Sequence, residues 1–204
     1  MNILLINPAH KSIGSRMAKE HLPPLGLLCI GGPLIDAGYQ VELLDADYSN
    51  MQPNKVIANA LFLKPDLVLM GHSGSTSAQP IINEIAAGLK LKQPNLKVII
   101  GGVFPTYNWK EVLEDNSAID FVIRGEGEEI ILNLVHAIVN NKPVINVDGI
   151  AFSQGGLVVA TKTAKMIQNL DKYRIGWELM QNYNYTYWGT VSYTHLRAHE
   201  TRGN

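Results

Sequence analysis

A chain of 204 residues, 46% hydrophobic and 17% charged, is long enough to bury a core, which excludes wholesale disorder. Its formal net charge of -1, with basic and acidic residues dispersed, leaves no electrostatic footprint for nucleic acid or an anionic membrane surface. The single cysteine, Cys29, excludes an internal disulfide and a cysteine-rich metal site and fits a reducing cytosol. The N-terminus enters "NILLINP" with no basic leader and no apolar stretch reaches ~18 residues, so a cytoplasmic chain without a membrane span is expected.

Along the chain, short apolar runs alternate with segments long enough for helices. The runs are "NILLIN" (2–7), "QVELLD" (40–45), "DLVLMG" (66–71), "LKVIIGG" (96–102) and "DFVIRG" (120–125). Apolar character on both faces suits parallel strands covered by helices on each side. Helices are expected over 24–37, 54–63, 78–92, 107–115 and 127–140, with Gly38 just past the first and Pro65 ending the second. Right-handed crossovers then predict an α/β, doubly wound, flavodoxin-like sheet of five parallel strands in the order 2-1-3-4-5. Beyond them, "VDGIAFSQGGLVVATKT" is expected to form a hairpin turning at Gly155-Gly156.

In an open parallel sheet, ligands bind outside the carboxyl ends of the strands. The loops there are "NPAHKSIGSR", "GHSGSTS", "GGVFPTY" and "RGEGEE". Gly71, Gly74, Gly101, Gly102, Gly125 and Gly127 remove Cβ atoms along one edge, so a broad, flat ligand could lie against bare backbone. Ser73, Ser75, Thr76 and Thr106 add hydroxyls at the same edge. One such loop alone would be ordinary turn and capping chemistry, whereas three together favour a ligand site. "GHSGSTS" is not GxxxxGK[ST], and no GxGxxG opens a helix after the first strand, so a nucleotide is disfavoured. "HSGS" is no GxSxG elbow, and adjacent His72 and Ser73 on an extended strand point to opposite faces, so no catalytic residue is assigned. Glu126, Glu128 and Glu129 sit where acidic side chains favour a helix N-terminus, which explains them without acid-base chemistry.

The series "INP", "PPLGLLCIGGPLIDAGYQVELLDAD", "PDLVLMGHSGSTS", "KVIIGGVFPT" and "DFVIRGEGEE" resembles the N-terminal cobalamin-binding domain of cobalamin-dependent radical S-adenosylmethionine enzymes. "GHSGSTSAQP", "GGVFPTYNW" and "YRIGWEL" are most similar to the anaerobic magnesium-protoporphyrin IX monomethyl ester cyclase branch, an enzyme of tetrapyrrole synthesis. The resemblance implies a corrin ring over the carboxyl edge and a nucleotide tail among the loops after strands 3, 4 and 5. The cofactor-binding residues it implies are Asn7, Pro8, Pro24, Leu25 and Gly26 near the ring, and Gly71, Ser73, Gly74, Ser75 and Thr76 after the third strand. Gly101, Gly102, Val103, Phe104, Pro105 and Thr106 follow after the fourth strand, with Pro105 fixing a turn, and Gly125, Glu126 and Gly127 after the fifth. The alternative is a free-standing nucleotide-binding or sensory module using the same edge.

Many cobalamin carriers place a cobalt-ligating histidine in DxHxxG after the first strand. Here the loop reads "NPAHKSIG", with His10 three residues from Asn7 and Gly14 four beyond His10, so the spacing departs from that pattern. His10 is therefore expected as a solvated loop residue, while His72 is expected as a satisfied residue at a strand end and His21 as ordering the Pro23-Pro24 entrance to the first helix. None is expected to ligate metal, and the cofactor is expected with its own base displaced and no protein histidine below cobalt. The domain division expected is 1–142 for cobalamin binding, 143–189 for the hairpin and a connector packing on a further radical S-adenosylmethionine domain, and 190–204 as a loosely packed, non-native tail. That further domain would carry CxxxCxxC, a four-iron, four-sulfur cluster and S-adenosylmethionine. None of this motif occurs before "VSYTHLRAHETRGN", so a truncated, by itself inactive, fragment is expected.

Overall fold

The computed structural model describes residues 1–9, 22–71, 78–187 and 191–192. Five parallel strands lie in the expected order: β1 (Asn2–Asn7) between β2 (Gln40–Asp45) and β3 (Leu67–Gly71), then β4 (Lys97–Gly101) and β5 (Phe121–Ile123). The sheet has seven strands rather than five. The hairpin β6 (Ile150–Gln154) and β7 (Leu157–Ala160) joins β5 antiparallel and continues the same sheet. Gly155 and Gly156 turn it with φ of 60° and 80°, the left-handed pair a tight two-residue hairpin requires.

The helices are α1 (Leu25–Asp36), α2 (Pro53–Leu63), α3 (Gln79–Lys92), α4 (Val103–Asp115) and α5 (Gly127–Val139). Period-two alternation divides β1 between two cores: Leu4 and Ile6 pack with α2, α3 and α4, while Ile3 and Leu5 pack with α1 and α5. All four are at most 1% exposed, each contributing about 1.5–3 kcal/mol of burial. Because these strands run parallel, the carboxyl ends of β1, β3, β4 and β5 lie at one edge of the sheet.

One boundary differs in a way that matters. The helical segment after β4 begins at Val103, ahead of the expected residue 107, and is kinked at Asn108 (φ -110°, ψ 26°), with Gly102 preceding it at φ 113°. Pro105 lies in the first turn, where its missing N–H would have had no helical acceptor. Val103, Phe104, Pro105 and Thr106 are thus helix, and the loop after β4 is shorter than "GGVFPTY" suggests.

The connector beyond β7 folds back over its own domain rather than away from it. It carries short 3-10 turns at Leu170–Lys172 and Trp177–Met180. Thr186–Tyr187 and Val191–Ser192 form a separate antiparallel ladder, a pairing not expected from the sequence at the start of the tail. Residues 193–204 lie outside the described residues.

Candidate functional site

Gly71 and Gly101 are register partners at the ends of β3 and β4. A Cβ at Gly71 would lie 3.4 Å from Leu27 Cδ2 and 3.6 Å from the Gly101 carbonyl, and one at Gly101 would lie 3.5 Å from Ile123 Cβ. Those are ordinary contacts, so protein packing does not demand glycine at either place. What the missing side chains leave is room in a cavity of about 630 Å³. Gly102 and Gly125 are glycine for another reason, since φ of 113° and 115° strains any side chain.

Ten of the sequence-expected residues meet at this cavity: Asn7 from β1, Pro24, Leu25 and Gly26 from the entrance to α1, Gly71, Gly101 and Gly102 from the strand ends, and Gly125, Glu126 and Gly127 before α5. Leu22, Pro23, Leu27, Ile30, Leu69 and Met70 complete an apolar lining. Leu27 and Ile30 are three apart, one helical step on the face α1 turns to the cavity. Asp47 and Glu128 also reach it, as does Trp177 of the connector, to which nothing local in the sequence points.

Pro8 is buried and is not part of the lining, nor are Val103, Phe104, Pro105 and Thr106. The Thr106 hydroxyl instead donates to the Gly102 carbonyl at 2.8 Å and accepts the Gly125 N–H at 3.3 Å, tying the loops after β4 and β5 together. Ser73, Gly74, Ser75 and Thr76, with His10, His21 and His72, lie outside the described residues.

Three polar side chains are committed to positioning. Asn7, 7% exposed, donates from Nδ2 to Asp45 Oδ1 at 2.8 Å. Asp45, 1% exposed at the end of β2, also accepts from the Tyr48 backbone N–H at 3.0 Å and the Tyr185 hydroxyl at 2.5 Å. Burial holds the Asp45 carboxyl above the usual carboxylate range, with those three hydrogen bonds pulling against it. Glu126, expected as a cofactor residue, caps α5 in extended conformation and accepts the Ile167 N–H at 2.6 Å, so its carboxylate holds the connector. Half-buried Cys29 has its thiol pushed up by burial and by the charge of Glu128. Among the described residues, no group of three or more His, Cys, Asp or Glu side chains could hold a metal ion, and no helix is long and apolar enough to cross a membrane.

The cavity is lined mainly by apolar side chains and bare strand-end backbone, with Asn7, Asp47, Glu126 and Glu128 among them, and it suits the flat face of a macrocycle with polar groups at its edge, such as a corrinoid. Comparison with known proteins agrees. Over 189 residues the chain is 48% identical to the anaerobic magnesium-protoporphyrin IX monomethyl ester cyclase of Synechocystis sp., which covers 93% of this chain and 38% of that relative. To the cyclase of the same description from Rubrivivax gelatinosus it is 31% identical over 195 residues, covering 92% and 34%. The chain therefore spans little more than a third of the length of these relatives. Two solved structures share the fold. The cobalamin-dependent S-adenosylmethionine radical enzyme OxsB, with aqua-cobalamin and S-adenosylmethionine bound, superposes with a TM-score of 0.66 at 18% identity over 81% of this chain and 22% of its own. The radical S-adenosylmethionine methyltransferase TsrM from Kitasatospora setae, with cobalamin and an iron-sulfur cluster bound, gives 0.64 at 20% identity over 85% and 31%. The B12 binding domain family matches residues 13–135. Because that match takes in the glycine-bearing strand ends that frame the cavity and more than half of the chain, this protein belongs to the B12 binding domain family.

Proposed function

We propose that the chain is the cobalamin-binding part of a longer, cytoplasmic radical S-adenosylmethionine enzyme, with the parent acting in anaerobic oxidative cyclisation of magnesium-protoporphyrin IX monomethyl ester or a related radical methyl transfer. The 48% identity to a cyclase of which this chain covers 38% supports the parent reading. In it, residues 1–142 bind the cofactor and 143–189 lead towards a domain holding a four-iron, four-sulfur cluster and S-adenosylmethionine. The observation that carries the binding role is the pairing of Gly71 with Gly101 at the mouth of the cavity, two glycines that the protein's own packing does not require.

Cobalamin, when bound, supplies a cobalt able to carry a methyl group or change valence. The chain's part is to hold and shield it. Leu25, Leu27, Ile30, Leu69 and Met70 exclude water from the cavity, and the strand-end glycines let backbone approach a flat surface. Asn7, which lines the cavity, is held at a set position there by its hydrogen bond to Asp45.

Mixing the purified chain with hydroxocobalamin and gel-filtering should give a co-eluting corrin spectrum. Reconstitution with iron, sulfide and a reductant should yield no 5′-deoxyadenosine, because a cluster needs about three protein thiolates and Cys29 is one. Absence of corrin from the protein peak would overturn the assignment.

A further inference from the structure

The family match ends at residue 135, yet the cavity has a wall from well beyond it. Trp177 lines the cavity, and three contacts fix its segment against the domain. The Gly176 N–H donates to the Leu28 carbonyl of α1 at 2.9 Å. Gly32 of α1 and Gly176 meet backbone to backbone: a Cβ on Gly176 would come within 2.8 Å of the Gly32 nitrogen, and one on Gly32 would overlap the Arg174 carbonyl. Arg174 Nε donates to Asp36 at 2.7 Å while its terminal nitrogens grip Glu178. Upstream, the Ile167 N–H on Glu126 anchors the same segment beside the loop before α5.

We propose that Trp177 is a cofactor-contacting residue, and that docking of the connector (residues 161–185) and binding of the corrinoid are energetically coupled through it. This rests on the cobalamin reading of the cavity. A large aromatic side chain held by its neighbours' backbone contacts presents apolar area with little ordering left to pay on binding. Gly31, Gly32 and Gly176 are the residues that make the seat possible, because any side chain at Gly32 would meet unyielding backbone rather than a movable side chain. Coupling is reciprocal: a connector that adds to cofactor affinity is itself held down by the cofactor, by the same factor.

The test uses the full 204-residue chain. Affinity for hydroxocobalamin is measured by titration, and connector docking by the rate of tryptic cleavage after exposed Lys172 and Arg174, with and without hydroxocobalamin. Trp177→Ala should weaken binding about tenfold, in line with the loss of one aromatic wall. In the wild type the cofactor should slow cleavage after Lys172, and in Trp177→Ala that protection should shrink. Gly32→Ala keeps the indole but lifts its seat, and should weaken binding too with circular dichroism unchanged. Unaltered affinity in both variants, or equal cleavage rates with and without cofactor in the wild type, would overturn the coupling while leaving the cavity assignment intact. A wild type that binds no hydroxocobalamin would instead overturn the cavity assignment and this inference with it.

Discussion

The Tyr185 hydroxyl donates a 2.5 Å hydrogen bond to Oδ2 of Asp45, closing a loop of 140 residues between the end of β2 and the connector. Both groups are almost fully buried, at 2% and 1% exposure. Around them, Tyr48 meets Tyr183 and Tyr185 edge-on at 5.3 Å and 5.2 Å, and the Tyr183 hydroxyl accepts the Asp45 N–H at 2.8 Å while donating to the Leu43 carbonyl at 3.0 Å. The connector's last turn is thereby part of the domain's core.

Tyr185→Phe keeps the ring contacts and removes one donor from a buried carboxyl group. Hydrogen bonds to charged groups are worth about 1.5–3 kcal/mol, and the unfolding free energy measured in urea should fall by that order. A loss under about 0.5 kcal/mol would mean that the connector is not docked on Asp45 in solution.

Asp45 gives stability a pH signature. Its pKa in the folded chain is raised by burial, so folding is favoured most below the unfolded carboxyl's pKa, and that contribution is lost as pH climbs through the folded value. Comparing wild type with Asp45→Asn between about pH 4 and about pH 7 should show the wild type losing ground steadily as pH rises. A flat difference would show that the three hydrogen bonds cancel the burial penalty.

Gly101→Val probes the reason for a bare strand end. Its Cβ has ordinary space beside Ile123, so the melting temperature should change little, while the branches fill the cavity mouth and hydroxocobalamin affinity should drop about tenfold or more. Equal affinity would remove the strand-end glycines from the site.

The Cys29 thiol should be sluggish. With its pKa raised by burial and by Glu128, little thiolate exists near neutrality, and alkylation should be slower than for an unstructured cysteine peptide, accelerating on urea unfolding. An alkylation rate equal to that of the peptide would contradict this placement.

His10 lies outside the described residues, and the expectation for it rests on the spacing of "NPAHKSIG" alone. The electron paramagnetic resonance spectrum of the cobalt(II) cobalamin complex should be the same in wild type and His10→Ala. Nitrogen splitting lost in the variant would assign His10 as the lower ligand.

Local signals were legible where the physics is local. β1 and β2 run over Asn2–Asn7 and Gln40–Asp45 as their apolar runs predict, and the strand-end glycines marked the cavity because omission of Cβ is visible in a sequence. Pro105 misled because proline reads as a turn although the first helical turn tolerates it equally well. The sixth and seventh strands were seen as a hairpin, but not as sheet members, because pairing with β5 is set by tertiary packing. Nothing in "YRIGWELMQNYNY" announces that Gly176 fits Gly32, that Trp177 faces the cavity or that Tyr185 reaches Asp45, since those partners lie far back in the chain.

The backbone seat of Gly176 on Gly32 also orders events during biosynthesis. A ribosome delivers the five parallel strands first, and the indole of Trp177 follows several seconds later at roughly 10 residues per second. For that interval the nascent domain has its strand-end floor but lacks a side, and its apolar pocket is open to water and to other chains. Cofactor capture at full affinity thus waits on the connector, gated by when residues 161–185 emerge and fold back onto α1.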